Sequence, residues 1–264
     1  MRSIAKPAPR PVLPAREKGA RRHSAKAERL ANERLERDIH AFAYSIAHDL
    51  RAPLRHIHGY SEFLLSGSDA ASKPYARRIM AATRRMDALI SDLLVYSRLT
   101  LDEMGLRRVE PSVVLERVLA GLEKDLEARG TVLDVEVPLP AVLAQPDALA
   151  QILENLLSNA LKFTPLCLYP RIRVRGETRG DTVRLWVEDN GIGIRPAYRE
   201  KIFDVFQRLH RSDEVPGTGI GLAIVRRAAE RMGGAAGVEA APERGSRFWV
   251  DLQSGETHRQ GRRL

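Results

Sequence analysis

Cysteine is almost absent: Cys167 is the single one in 264 residues. One thiol excludes an internal disulfide and any cysteine-based metal site. Long apolar runs are missing too. No stretch approaches the ~20 residues of a membrane-spanning helix. Residues 1–30 carry positive charge but no apolar segment of the kind a secretory signal needs. The expectation is a cytoplasmic protein without a transmembrane segment. Internal repeats, zinc-finger spacings, a recognition-helix pattern and an aromatic stacking motif are all lacking. Acidic residues are outnumbered, 34 against 43 Lys and Arg, for a net charge of +9. The excess gathers in two tails, residues 6–26 and 259–263. A basic terminus is more often a solvated arm than a specific reader. No specific nucleic-acid partner is therefore expected.

What is present suffices for one or two domains with real cores: 44% of residues are hydrophobic. Residues 1–24 are rich in Pro, Ala, Arg and Lys and read as a disordered basic tail. Residues 25–104 read as two helices. Leu35, Ile39, Phe42 and Ile46 form a heptad-like seam, and Pro53 should kink the first helix. A turn within 66–72 leads to a second seam of Ile79, Thr83, Met86, Ile90, Leu93 and Ser97. Two antiparallel helices cannot bury both seams alone, so a homodimer forming a four-helix bundle is expected. Residues 105–253 alternate helices and strands, which predicts an α/β two-layer sandwich. The fold class is thus α+β, with a basic C-terminal tail over 254–264.

Three stretches carry the chemistry. Residues 147–165 are helical by the spacing of Leu149, Ile152, Leu153, Leu156, Leu157 and Ala160. Asn155 and Asn159 stack one turn apart on this helix, with Lys162 on the next turn. Asn is a mediocre helix former, so the pair suggests a shared polar ligand. A solvated polar stripe is the competing reading. A strand, Val183-Arg184-Leu185-Trp186-Val187, runs into Glu188-Asp189-Asn190-Gly191-Ile192-Gly193-Ile194. Gly217-Thr218-Gly219-Ile220-Gly221-Leu222 precedes another helix, where glycines free backbone N–H groups for an anion. Upstream lies Ser45-Ile46-Ala47-His48-Asp49-Leu50-Arg51-Ala52-Pro53-Leu54.

This ordered set resembles the sensor histidine kinases of bacterial two-component systems, in particular the phytochrome-type and multi-sensor branch. The resemblance covers residues 34–252 and runs through the H-box, N-box, first glycine box, Phe box and second glycine box. It implies a helical-hairpin dimerisation domain, an ATP-binding sandwich of the histidine kinase, gyrase and chaperone type, and ATP with Mg²⁺ as cofactors. It implies that Asp189 accepts the adenine amino group, with Gly191 and Gly193 letting the backbone pass close to the base. Val187, Ile192 and Ile194 would form the apolar wall. Asn159 would hold Mg²⁺, with Asn155 in support. Lys162 would meet a phosphate, and Phe163 the nucleotide or the core. Gly217, Thr218, Gly219, Gly221 and Leu222 would form the phosphate turn. Phe203, Phe206 and Arg208 match the Phe box, and 208–216 would be a short lid. The third glycine box is reduced to Gly245-Ser246, and the N-box helix opens on Gln145-Pro146 where an acidic residue precedes the proline in the family.

His48 is the implied phosphoacceptor. Asp49 would take the proton from the ring, and a response-regulator receiver domain would accept the phosphoryl group. Sensory input is left to a separate sensor protein or a longer parent chain. Two other classes stand beside this reading. An ATP-hydrolysing relative of the gyrase and chaperone group would need a Glu where Asn155 stands, and Glu154 should point elsewhere. A non-catalytic basic scaffold or nucleic-acid binder would show salt-dependent DNA binding without ATP turnover.

Overall fold

Helix formation in the first described stretch follows the apolar spacing of Leu54, Ile57 and Leu64, with the small Ser61 buried between them, and residues 54–66 are helical (α1). The computed structural model describes residues 54–66, 72–101, 104–164, 169–209, 217–242 and 244–256, all within one compact unit, 43–264. The phosphoacceptor candidates His48 and Asp49, the seam residues Leu35, Ile39, Phe42 and Ile46, Cys167, the centre of the lid, the N-terminal tail and residues 257–264 lie outside the described residues. The first residues of the expected C-terminal tail belong instead to the fold, where Ser254 bridges Val142 and the Gly255 N–H bonds the Ala141 carbonyl at 2.8 Å.

Helix α2 spans Lys73–Leu101. Along it Ala76, Thr83, Ile90 and Ser97 are buried at strict seven-residue spacing. Leu54 of α1 closes over Ile90 and Leu94. The His58 imidazole lies 3.1 Å from the Thr83 hydroxyl. Thr83 donates to the Met80 carbonyl, so it accepts from His58 through its lone pair. Ile79 and Met86, which the expected dimer would cover, are exposed in the single chain.

Beyond α2 come β1 (Arg107–Val109), α3 (Pro111–Ala128), β2 (Val132–Val135), β3 (Val142–Ala144), α4 (Pro146–Phe163), β4 (Arg171–Arg179), β5 (Thr182–Asp189), α5 (Gly221–Arg231), β6 (Ala235–Ala240) and β7 (Ser246–Gln253). The short strand β1 pairs antiparallel with β3. The main sheet is mixed, in the order β2-β4-β5-β7-β6, with β2 parallel to β4 and the other neighbours antiparallel.

Alternation divides the sheet into two unlike faces. Ile172, Val174, Val183, Leu185, Val187, Phe248, Val250 and Leu252 join one core with the apolar faces of α3, α4 and α5. Each fully buried aliphatic side chain there contributes roughly 1.5–3 kcal/mol. The opposite face is polar and aromatic. Arg184 makes a bidentate pair with Asp251, both contacts 2.6 Å. Its guanidinium also stacks 4.0 Å above Trp249. Arg175 and Arg247 cover Trp186 at 4.7 and 4.8 Å from the ring centroid. This face buries its tryptophan under cations rather than under a second layer.

Candidate functional site

Helix α4 begins where the expected acidic residue is replaced. The Gln145 side chain caps it by accepting from the Ala148 N–H, and Pro146 occupies the first turn, where its missing N–H costs nothing. Asp147 in the first turn and Lys162 in the last both complement the helix dipole. With Leu149, Ile152, Leu153, Leu156 and Leu157 turned into the core, Asn155, Ser158, Asn159 and Lys162 line a cavity of about 780 Å³.

The inner-face alternation of β5, through Val183, Leu185 and Val187, brings Asp189 to the end of the strand on the same side as α4. Its carboxylate accepts from Gly191 N–H at 2.8 Å and from Ser246 N–H at 3.4 Å. Ser246 is the register partner of Asp189 on β7. Burial pushes the Asp189 carboxyl up to about 6, against the opposing pull of those two N–H groups. The next residue has a different task. Asn190 accepts from Arg171 N–H and donates to the Tyr169 carbonyl, both at 2.9 Å, and so ties the turn to the start of β4.

Gly191 is needed for packing. A Cβ there would come 2.5 Å from the Phe163 carbonyl oxygen at the end of α4. It does not line the cavity, so its expected role, close passage of the backbone by a base, is replaced by the crossing of α4 and β5. Gly221 is less rigidly constrained, since a Cβ there would meet Asn155 Oδ1, the end of a side chain rather than backbone. The Asn155 amide nitrogen donates to Gln151 O at 2.8 Å. Asn155 is thereby held between its own helix and the start of α5.

Most of the expected site residues surround this one cavity. Asn155, Asn159, Lys162, Phe163, Asp189, Gly193 and Ile194 line it from α4 and the β5 exit. Arg208, Gly217, Thr218, Gly219, Gly221 and Leu222 line it from the lid ends and the α5 turn. Arg208 donates to the Gly217 carbonyl at 2.7 Å, joining the two described ends of the lid. Phe206 differs from expectation. It is exposed, sits outside the lining, and has a left-handed φ of 65°. Its N–H bonds Gly219 O at 2.9 Å, so its backbone rather than its ring serves the lid. Val187 is buried in the core instead of forming the wall. Phe203 is also a core residue, edge-on to Phe248. Glu154, expected to point elsewhere, reaches the rim of the cavity while remaining exposed.

Two contributors were not anticipated. Ser246 lines the cavity and holds Asp189. Asp92 of α2 also lines it, and accepts from the Thr218 hydroxyl at 2.5 Å. Burial raises the Asp92 carboxyl, opposed by the Thr218 hydrogen bond and by Lys162. Burial lowers the Lys162 ammonium; Asp92 counters this, and Arg129 and Arg208 add to it.

Two family models match the chain. Residues 39–101 match the His Kinase A (phospho-acceptor) domain, and 144–256 match the histidine kinase-, DNA gyrase B- and HSP90-like ATPase. The chain belongs to the sensor histidine kinases. Among relatives of this family, it is 34% identical over 227 residues to the phytochrome-like protein Cph1 of Synechocystis, covering 84% of this chain. It is 34% identical over 238 residues to the aerobic respiration control sensor protein ArcB of Escherichia coli, covering 85% of this chain. It spans 30% of the length of each of these two relatives. Among solved structures, full-length ShkA in complex with AMPPNP is similar at a TM-score of 0.63 and 28% identity, over 81% of this chain and 46% of that one. The Acinetobacter baumannii histidine kinase AdeS shares the fold, with a TM-score of 0.54 and 20% identity over 79% of this chain and 98% of that one.

Among the described residues no helix is long and apolar enough to cross a membrane.

Proposed function

We propose that the chain is the kinase core of a two-component system. It binds ATP in the α4–α5 cavity, phosphorylates His48, and donates the phosphoryl group to a response-regulator aspartate. The observation that carries the nucleotide site is the convergence of Asn159, Lys162, Asp189 and the glycine turn before α5 on one cavity. Asp189 supplies an acceptor for the adenine amino group, Lys162 a cation for phosphate, the glycine turn N–H groups at a helix start, and Asn159 an amide toward the phosphate-bound ion. ShkA, similar over most of this chain, is complexed with AMPPNP, which supports the same ligand class here.

Asn159 fits a role toward Mg²⁺. It brings a neutral amide oxygen to the cavity wall, a hard donor of the kind magnesium prefers. No group of three His, Cys, Asp or Glu side chains suited to a metal exists among the described residues. That donor set suits an ion carried mainly by nucleotide phosphates. When bound, Mg²⁺ neutralises phosphate charge. In the transfer itself, a His48 ring nitrogen attacks the γ-phosphorus and the bond to the ADP oxygen breaks. Asp49 accepts the proton from the other ring nitrogen. Hydrolysis by the gyrase-type route is not favoured. The position four before Asn159 is Asn155, whose amide is already tied to Gln151 and has no basic lone pair for water.

The reading extends to a homodimer and to a cytoplasmic setting in which input comes from a separate sensor or a longer parent chain. The test is incubation with γ-labelled ATP. An acid-labile, alkali-stable label is expected in the wild type and lost in His48→Gln, while ATP still binds. Undiminished label in that variant would refute the assignment.

A further inference from the structure

The Thr218–Asp92 hydrogen bond joins residues 126 positions apart. It ties the helical hairpin to the glycine turn of the nucleotide cavity. Helix α2 presents Met86, Leu89 and Asp92 to that cavity, so one of its walls comes from outside the sandwich. Asp92 is a poor choice for a packing residue, since removing a carboxylate from water is costly unless it is partnered. Its partners are specific. The Thr218 hydroxyl donates to it at 2.5 Å. Lys162 is the cation that opposes the effect of burial on its carboxyl. Thr218 and Lys162 are the same two groups that the nucleotide reading allots to phosphate.

We propose that Asp92 is an internal stand-in for the nucleotide's phosphates. Its carboxylate holds the Thr218 hydroxyl and shares the cavity wall with Lys162, so incoming phosphates must displace it. Two anions in one partly dehydrated site repel strongly, because little water is left to screen them. Nucleotide entry therefore works against the α2 contact, and loss of that contact favours entry, by reciprocity of coupled equilibria. The bond keeps the catalytic sandwich parked on α2 until ATP competes for Thr218 and Lys162. This rests on the nucleotide reading of the cavity and adds to it a competitor contributed by the helical hairpin.

The distinguishing property is dependence on phosphate. The whole chain, Asp92→Asn and Asp92→Ala are titrated with ATP, ADP and adenosine by calorimetry. Asn keeps the size of the side chain and an acceptor for Thr218 but removes the charge, so it guards against a packing defect in the alanine variant. ATP and ADP are expected to bind both variants about tenfold more tightly than the wild type, from relief of like-charge repulsion. Adenosine, with no phosphate, is expected to bind all three alike. An equal gain for adenosine would assign Asp92 a steric role and overturn the proposal. Unchanged or weaker ATP binding in the Asn variant would overturn it as well, with the nucleotide site intact. No ATP binding by any of the three would overturn the nucleotide reading and this inference together.

Discussion

At the scale of a single residue, Asp189 shows how one strand end sets both recognition and pH response. Its carboxyl is raised to about 6 from an ordinary value of 3.8, mainly by burial. At roughly 1.4 kcal/mol per pH unit, ionising it inside the fold costs on the order of 3 kcal/mol. The sign follows from which state takes up a proton first. Between about 6 and 3.8 the folded protein is protonated here and the unfolded chain is not. This group's penalty on the ligand-free fold is therefore full above about 6 and is relieved as pH falls toward 3.8. Nucleotide binding responds in the opposite sense, because an adenine amino donor favours the ionised acceptor. ADP affinity is expected to fall as pH drops through about 6. Asp189→Asn should bind more weakly at pH 8 and lose this pH dependence. The ratio of wild-type to variant affinity, measured at pH 5 and pH 8, cancels the titration of ADP itself. A ratio that stays constant between the two would contradict the assignment.

At the scale of elements, the site depends on how closely α4 crosses the exit of β5. A methyl at Gly191 would press on the Phe163 carbonyl at 2.5 Å, and a backbone atom cannot swing aside as a flexible side chain can. Gly191→Ala is expected to destabilise the protein by about 1–3 kcal/mol through overpacking. It should weaken nucleotide binding too, since the same carbonyl receives the Ile192 N–H that orders the loop. Gly121→Ala makes a matched control within α3. Nothing lies within 4 Å of the point its methyl would occupy, so alanine there should stabilise by up to about 1 kcal/mol from helix propensity. Urea midpoints shifting in the same direction for both variants would contradict this account. Much of this arrangement was legible in the sequence. The α4 periodicity placed Asn155, Asn159 and Lys162 on one surface, and the strand before Asp189 set its side. Where reasoning fell short, the signal was not local. Asp92 lies 126 positions from its partner Thr218 and on another helix. Phe206 matched a motif letter, but its backbone is left-handed and its exposed side chain does not line the cavity. Gly191 was read as freedom for a ligand to approach, whereas it is clearance for a neighbouring element.

At the scale of the whole molecule, the helical hairpin leaves apolar surface that a single chain does not cover. Ile57, Tyr60 and Leu64 follow one another at helical spacing on α1 and are exposed, Tyr60 by 73%. Ile79 on α2 is exposed as well, whereas Met86, seven further on, is exposed at the border of the nucleotide cavity. Ile90 behaves differently from expectation. It is buried within the chain against Leu54 and Leu94 and needs no partner. Leu89 and Asp92 of α2 are also engaged, along the nucleotide cavity. Among the described residues the uncovered stripe centres on α1. A second copy meeting it about a twofold axis would cover Ile57 and Leu64 with their own counterparts, the self-complementary geometry of an isologous interface. The wild-type chain is expected to sediment at twice its monomer mass at micromolar concentration. Ile57→Asp combined with Leu64→Asp would place two carboxylates from each chain in that interface and should give a monomer. Nucleotide affinity should survive, because no residue of α1 lines the cavity. A wild-type chain that sediments as an active monomer would sink the dimer. A double variant that remains dimeric would move the interface off this face of α1.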